Sequence, residues 1–153
     1  MKFAKYLTLF LIINFGALGL GTILMNNGPQ TAWYTNLNQA PWTPPGWFFG
    51  VAWTTIMICF SIYLAFLYPL VDKTKLLSLF AVQFFFNVIW NYIFFNQHLI
   101  GVGLISIILL TIVVGKFLFD YRHVLKTKTW LIAPYFIWLC IACSLNAYIL
   151  FNN

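Results

Sequence analysis

Residues 99–119 read LIGVGLISIILLTIVVGKFLF, an unbroken apolar run whose one charge, Lys116, lies near its end. A helix needs about 20 mainly apolar residues to cross the hydrocarbon core of a bilayer, and this stretch supplies them. Four more segments pass the same test: 76–95 and 130–150 on either side, then 47–67 and 6–25 toward the N-terminus. Nothing is left over for a soluble domain. Residues 1–153 therefore read as a single transmembrane domain, an all-α bundle of five helices. The connections are short, except the one between the first two spans, which is rich in Asn, Gly, Pro and Trp.

Composition requires the same conclusion. With 63% hydrophobic and 7% charged residues and a mean hydropathy of +0.90, the chain has too little polar surface to clothe a water-soluble globule. Lipid must be its solvent. A net charge of +6 in a soluble protein would point to nucleic acid, but here the basic residues sit between apolar blocks, where they act as topology signals. No nucleic-acid partner is expected.

Sorting those charges tests the span count independently. Lys2 and Lys5 precede span one, Lys73 and Lys75 lie between spans two and three, and Arg122, Lys126 and Lys128 lie between four and five. An odd number of spans puts all of them on one side, and Lys116 can snorkel to that side from the end of span four. The first and third loops and the C-terminus carry no Lys or Arg. The positive-inside rule then places the N-terminus in the cytoplasm and the long loop and C-terminus outside, as in a multi-pass protein of a bacterial inner or plasma membrane. Lys2 and Lys5 ahead of an apolar run, with Ala17 and Gly19 near a possible cleavage site, also fit a signal peptide, but the run continues to Met25 and is long enough to span.

The spans exclude several chemistries. Coupled transporters and proton pumps keep an ionisable group near the midplane, whereas the only acids here, Asp72 and Asp120, belong to cytoplasmic ends. His98 and His123 fall at loop or helix termini, so a bis-histidine haem clamp within the bilayer is not available, and no metal site is expected. Ser61, Ser106 and Ser144 have no base beside them in sequence. Cys59, Cys140 and Cys143 lie in apolar stretches, against a secreted disulfide framework. Cys140 and Cys143 are three apart on span five, as a redox pair or as small packing residues.

What the spans do hold is aromatic surface and amides. Gln83, Asn87, Trp90 and Asn91 fall at i, i+4, i+7 and i+8, which is one face of a helix. Trp138, Ala142, Leu145 and Asn146 repeat that spacing on span five. Either the amides join helices by hydrogen bonds, or two such faces line a cavity for a flat apolar ligand with polar edges. The tryptophans divide in the same way. Trp130 reads as an interfacial anchor, and Trp33, Tyr34 and Trp42 fit that role too. Trp53, Trp90 and Trp138 lie well inside their spans, where a buried indole N–H wants a partner.

Trp33-Tyr34, then Pro41-Trp42-Thr43-Pro44-Pro45-Gly46 leading to Val51-Ala52-Trp53, resemble the signature loop and second helix of the TspO/MBR family of tryptophan-rich sensory and translocator proteins. Gln83, Asn87, Trp90 and Phe94-Phe95 resemble its third-helix pattern, and Pro134-Tyr135, Trp138, Ala142, Leu145 and Asn146 its fifth. The matches run in order across nearly the whole chain. Three prolines in the loop stiffen the backbone and remove donors, which suits an aromatic lid or simply a rigid lead into span two.

The resemblance implies a five-helix bundle, usually a homodimer, with a cavity beneath the first loop that binds protoporphyrin IX or haem as ligand and requires no cofactor. The lining it implies is Trp33, Trp42, Phe49, Trp53, Asn87, Trp90, Trp138, Ala142, Leu145 and Asn146. Trp53 and Trp138 match positions linked in the family to light-dependent porphyrin breakdown, which would make them catalytic. Three readings follow: a sensor, scavenger or transporter of porphyrins; a photochemical porphyrin-degrading enzyme; or a structural subunit without ligand. Two departures stand out. Asn91 replaces a serine of the family pattern, and no basic residue follows Tyr148, so sterol binding is not expected. Ala17 and Gly21 form a small-xxx-small pair on span one that could serve a dimer face.

Overall fold

A computed structural model describes residues 2–153. Five long helices dominate it: α1 (Lys2–Met25), α2 (Gly46–Leu67), α3 (Lys73–Asn91), α4 (Ile100–Asp120) and α5 (Ala133–Asn152). Each is long and apolar enough to cross a membrane. The chain is a multi-pass integral membrane protein, and among the described residues it is all-α.

Helix ends follow local chemistry. Asn26 and Asn27 leave α1 with φ of 48° and 62°, a left-handed conformation that asparagine tolerates better than most residues. Pro45 precedes the first turn of α2 in an extended conformation, and Asp72 caps α3 by accepting a 2.8 Å hydrogen bond from the Lys75 amide. Beyond Asn91, α3 widens into a π-helical turn, Tyr92–Asn96. The fifth span starts at Ala133, not at 130. Residues Lys126–Leu131 form a 3₁₀ turn instead, because Pro134 sits in the first turn of α5, where its missing N–H costs nothing. Trp130, left outside the helix, is 79% exposed.

The helices close a ring in the order α1, α2, α5, α4, α3. Toward the end that carries the lysines the ring is filled by Phe10, Phe60, Tyr63, Leu67, Phe80, Phe117 and Tyr135, all buried. With lipid outside, helix association rests on close packing and internal hydrogen bonds, not on expulsion of water. Both are present. Phe60 meets Phe117 and Tyr135 with ring centroids 5.4 Å away, and the Tyr63 hydroxyl donates to the Phe117 carbonyl at 2.6 Å. Asn14 of α1 donates to Ser61 of α2 at 2.8 Å, which ties the first span into the bundle.

Two pairs left open by the sequence have definite surroundings here. Ala17 and Gly21 are buried and face α3 of the same chain. A Cβ on Gly21 would lie 2.6 Å from Nδ2 of Asn91, so the small pair brings α1 against α3 and is not an outward face. Cys140 is exposed, while Cys143 contacts Thr111 at 3.3 Å. Both are free thiols with different surroundings.

Candidate functional site: an aromatic cavity beneath the first loop

Above the packed half of the ring, toward the end without basic residues, the helices part around a cavity of about 550 Å³. That lies within the range of pockets that enclose drug-sized ligands, roughly 300–1,000 Å³. Four helices and the first loop build it. The first supplies Leu18, Thr22 and Met25; the second supplies Gly46, Phe49, Gly50, Trp53 and Thr54; the third supplies Trp90, Asn91, Phe94 and Phe95; and the fifth supplies Trp138, Ala142, Leu145, Asn146 and Ile149. Pro29, Tyr34, Gln39, Thr43 and Pro44 of the loop cover it. No residue of α4 lines it among those described, since α4 lies behind α3 and α5.

The walls are flat rings set by their own contacts. Trp90 stacks on Phe94 at 5.4 Å with an interplanar angle of 11°, and Phe95 stands perpendicular to Phe94 at 4.9 Å. The π-helical turn presents both phenylalanines at the end of α3, an irregularity of the kind found at functional sites. The Trp90 indole N–H donates to Oδ1 of Asn146 at 3.3 Å, and Nδ2 of Asn146 donates to the Ile100 carbonyl at 3.1 Å. One amide thus joins α3, α4 and α5. Trp138 forms the floor, packed edge-on against Phe49 at 5.4 Å, and Trp53 meets Tyr135 edge-on at 6.0 Å. The wall carries no charged side chain among the described residues. Burial pushes the Tyr34 phenol above its ordinary value.

The loop is held at several points. Gln39 donates to the Tyr34 carbonyl at 3.0 Å. The Asn38 amide donates to Oδ1 of Asn153 at 2.8 Å, and Nδ2 of Asn153 donates back to the Asn38 carbonyl at 3.2 Å. Gly28 lets the chain pass over Phe95, where an added Cβ would come within 2.5 Å of the ring.

Phe49, Trp53, Trp90, Trp138, Ala142, Leu145 and Asn146, singled out from the sequence, therefore share one wall. Trp33, Trp42 and Asn87 stand outside it. Trp33 stacks on His98 at 4.0 Å and holds the loop to the end of α3. Trp42 is 54% exposed and donates to Ser144 at 3.2 Å on the outer side of α5. Asn87 is buried one turn deeper than Asn91 and accepts its Nδ2 at 3.0 Å through the backbone carbonyl. Gln83, deeper again, donates to the Tyr135 hydroxyl at 2.7 Å. For Gln83 helix joining is the observed role. The α1 wall was missed by sequence reading. Its signal was present in Ala17 and Gly21, whose small side chains bring α1 close to α3.

The TspO/MBR family model matches residues 8–151. The chain belongs to the TspO/MBR family. Among its relatives, Protein CrtK of Rhodobacter capsulatus is 34% identical over 119 residues, covering 75% of this chain and 74% of that protein. Tryptophan-rich protein TspO of Chlorobaculum tepidum is 32% identical over 141 residues, covering 90% and 89%. The human Translocator protein is 27% identical over 125 residues, covering 78% and 73%. The TspO/MBR match spans the loop, all five helices and every helical wall of the cavity.

Proposed function

We propose that this TspO/MBR protein binds tetrapyrroles such as protoporphyrin IX or haem in the cavity beneath its first loop, as a sensor, scavenger or transporter of porphyrins. The observation that carries the reading is the wall itself: Phe49, Trp53, Trp90, Phe94 and Trp138 around about 550 Å³. A planar macrocycle offers each ring an apolar face to stack on. Asn91, Asn146 and Thr54 supply isolated polar contacts at its edges. With no basic group in the wall, the carboxylates of such a ligand would have to lie toward the mouth, since burying them unpaired costs several kcal/mol. Relatives named sensory and translocator proteins are consistent with either outcome of binding.

A second reading, light-dependent degradation of bound porphyrin, is favoured by one observation: Trp53 and Trp138 both border the cavity. An excited macrocycle can take an electron from an adjacent indole. The basic end would face the cytoplasm and the loop the outside of a bacterial inner membrane, by the positive-inside rule.

Titration of the purified protein with protoporphyrin IX in darkness tests the first reading. Saturable tryptophan quenching is expected, with affinity reduced roughly three- to tenfold in Trp53→Phe or Trp138→Phe, about 0.5–1.5 kcal/mol per lost aromatic contact. Absence of saturation, or indifference to both substitutions, would leave the rings with packing alone. Illumination then separates the second reading: an irreversible loss of the porphyrin bands, absent from the double Trp→Phe variant, marks photochemistry.

A further inference from the structure

At the basic end, α4 and α5 part to leave a second recess, a groove of about 340 Å³ on the outer surface of the bundle. Leu118 and Phe119 form one wall, Phe136 and Ile137 the other, and Arg122 and Trp130 stand at the rim. The groove is built into the helix contact. Gly115 lets the Phe136 ring approach α4, where a Cβ would lie 3.3 Å from it, and Phe119 meets Phe136 edge-on at 6.1 Å. Trp130, 79% exposed, marks the interfacial level of the bilayer.

The charge at the rim has no acidic partner among the described residues. Nε of Arg122 donates to Nε2 of His123 at 3.2 Å, which leaves the other guanidinium N–H groups available. Asp120, the near carboxylate, pairs with Lys116 at 3.2 Å. Asp72 is engaged at the start of α3. Lys126 and Lys128 follow in the same connection, and Thr129 holds that connection to the Arg122 carbonyl at 3.5 Å. An apolar groove open to acyl chains, with an unneutralised guanidinium at interfacial depth, has the chemistry of a phospholipid and not that of a water-soluble anion. A guanidinium binds phosphate oxygens through two parallel hydrogen bonds, and basic pockets between spanning helices attract anionic head groups.

We propose that the groove between α4 and α5 is a binding site for an anionic phospholipid. One acyl chain lies between Phe119, Phe136 and Ile137, and the phosphate rests on Arg122. A lipid with net negative charge complements this rim, whereas a zwitterionic one brings its own cation beside a guanidinium that has no acidic partner among the described residues.

Native mass spectrometry of the full chain, released from detergent with phosphatidylglycerol or with phosphatidylcholine of the same acyl chains, tests the site. A retained one-to-one adduct is expected for phosphatidylglycerol and not for phosphatidylcholine. Arg122→Gln should weaken it about fivefold, the factor corresponding to ~1 kcal/mol per basic residue at an anionic surface. Lys73→Gln, which removes a charge at the same end but away from the groove, should leave it unchanged. Ala133→Trp fills the groove without touching any charge and should displace the adduct even if Arg122→Gln fails to fold. Equal retention of both lipids, an equal effect of Lys73→Gln, or full retention in Ala133→Trp would overturn the proposal. So would comparable binding of glycerol 3-phosphate, which would make the site one for free phosphate.

Discussion

Ala142→Trp should abolish saturable protoporphyrin IX binding while leaving the five-helix bundle assembled. Ala142 lies one turn beyond Trp138 on the cavity face of α5, between the floor ring and the Leu145 and Asn146 rim. An indole there projects into the space between the walls of α2 and α3 and occupies what a macrocycle would need. Because it extends into an existing void, it avoids the overpacking cost of a filled core, about 1–3 kcal/mol. The expected loss of affinity is at least about 100-fold, or about 2.7 kcal/mol. Quenching titrations read that loss, and far-ultraviolet circular dichroism together with gel filtration in detergent verifies the fold. Binding of wild-type strength in Ala142→Trp would place any porphyrin elsewhere on the protein.

Phe60→Ala should have the converse effect, lowering stability without reshaping the site. Phe60 is fully buried and touches the rings of Tyr63, Phe80, Phe117 and Tyr135, which come from four helices. In lipid the transfer of a ring out of water contributes little to association, so what is lost is dispersion contact and what is gained is a void. The cost is about 2–4 kcal/mol. Thermal unfolding in detergent should show a melting point lower by roughly 6–12 °C. Phe60 does not line the cavity, so porphyrin affinity per folded molecule should be unchanged. A variant that melts like wild type would mean that the aromatic cluster does not hold the basic half of the ring together.

These two positions also show what the sequence disclosed and what it concealed. Span count and the sorting of charge to one end were legible because both are one-dimensional: apolar length and the placement of eight basic residues. The α5 wall was legible because Trp138, Ala142, Leu145 and Asn146 share a helical face. The same periodicity could not say how deep the cavity runs along α3. Asn87 shares a face with Trp90, yet it is buried a turn below Asn91 and outside the lining. Loop tryptophans were harder still, since no period governs them. Trp33 and Trp42 find His98 and Ser144 only once the chain has turned back over the helix ends. The start of α5 moved from 130 to Ala133 for a local reason, Pro134 in its first turn. The α1 wall stayed hidden because a small-residue stripe reads identically whether it meets a second copy or a neighbouring helix.

The most direct test of the central claim is an experimental structure of the protein saturated with protoporphyrin IX in darkness. The macrocycle is expected beneath the first loop, in contact with Trp53, Trp90 and Trp138, its carboxylates turned toward the mouth. Density for the porphyrin on the lipid-facing surface, with that space empty, would contradict it.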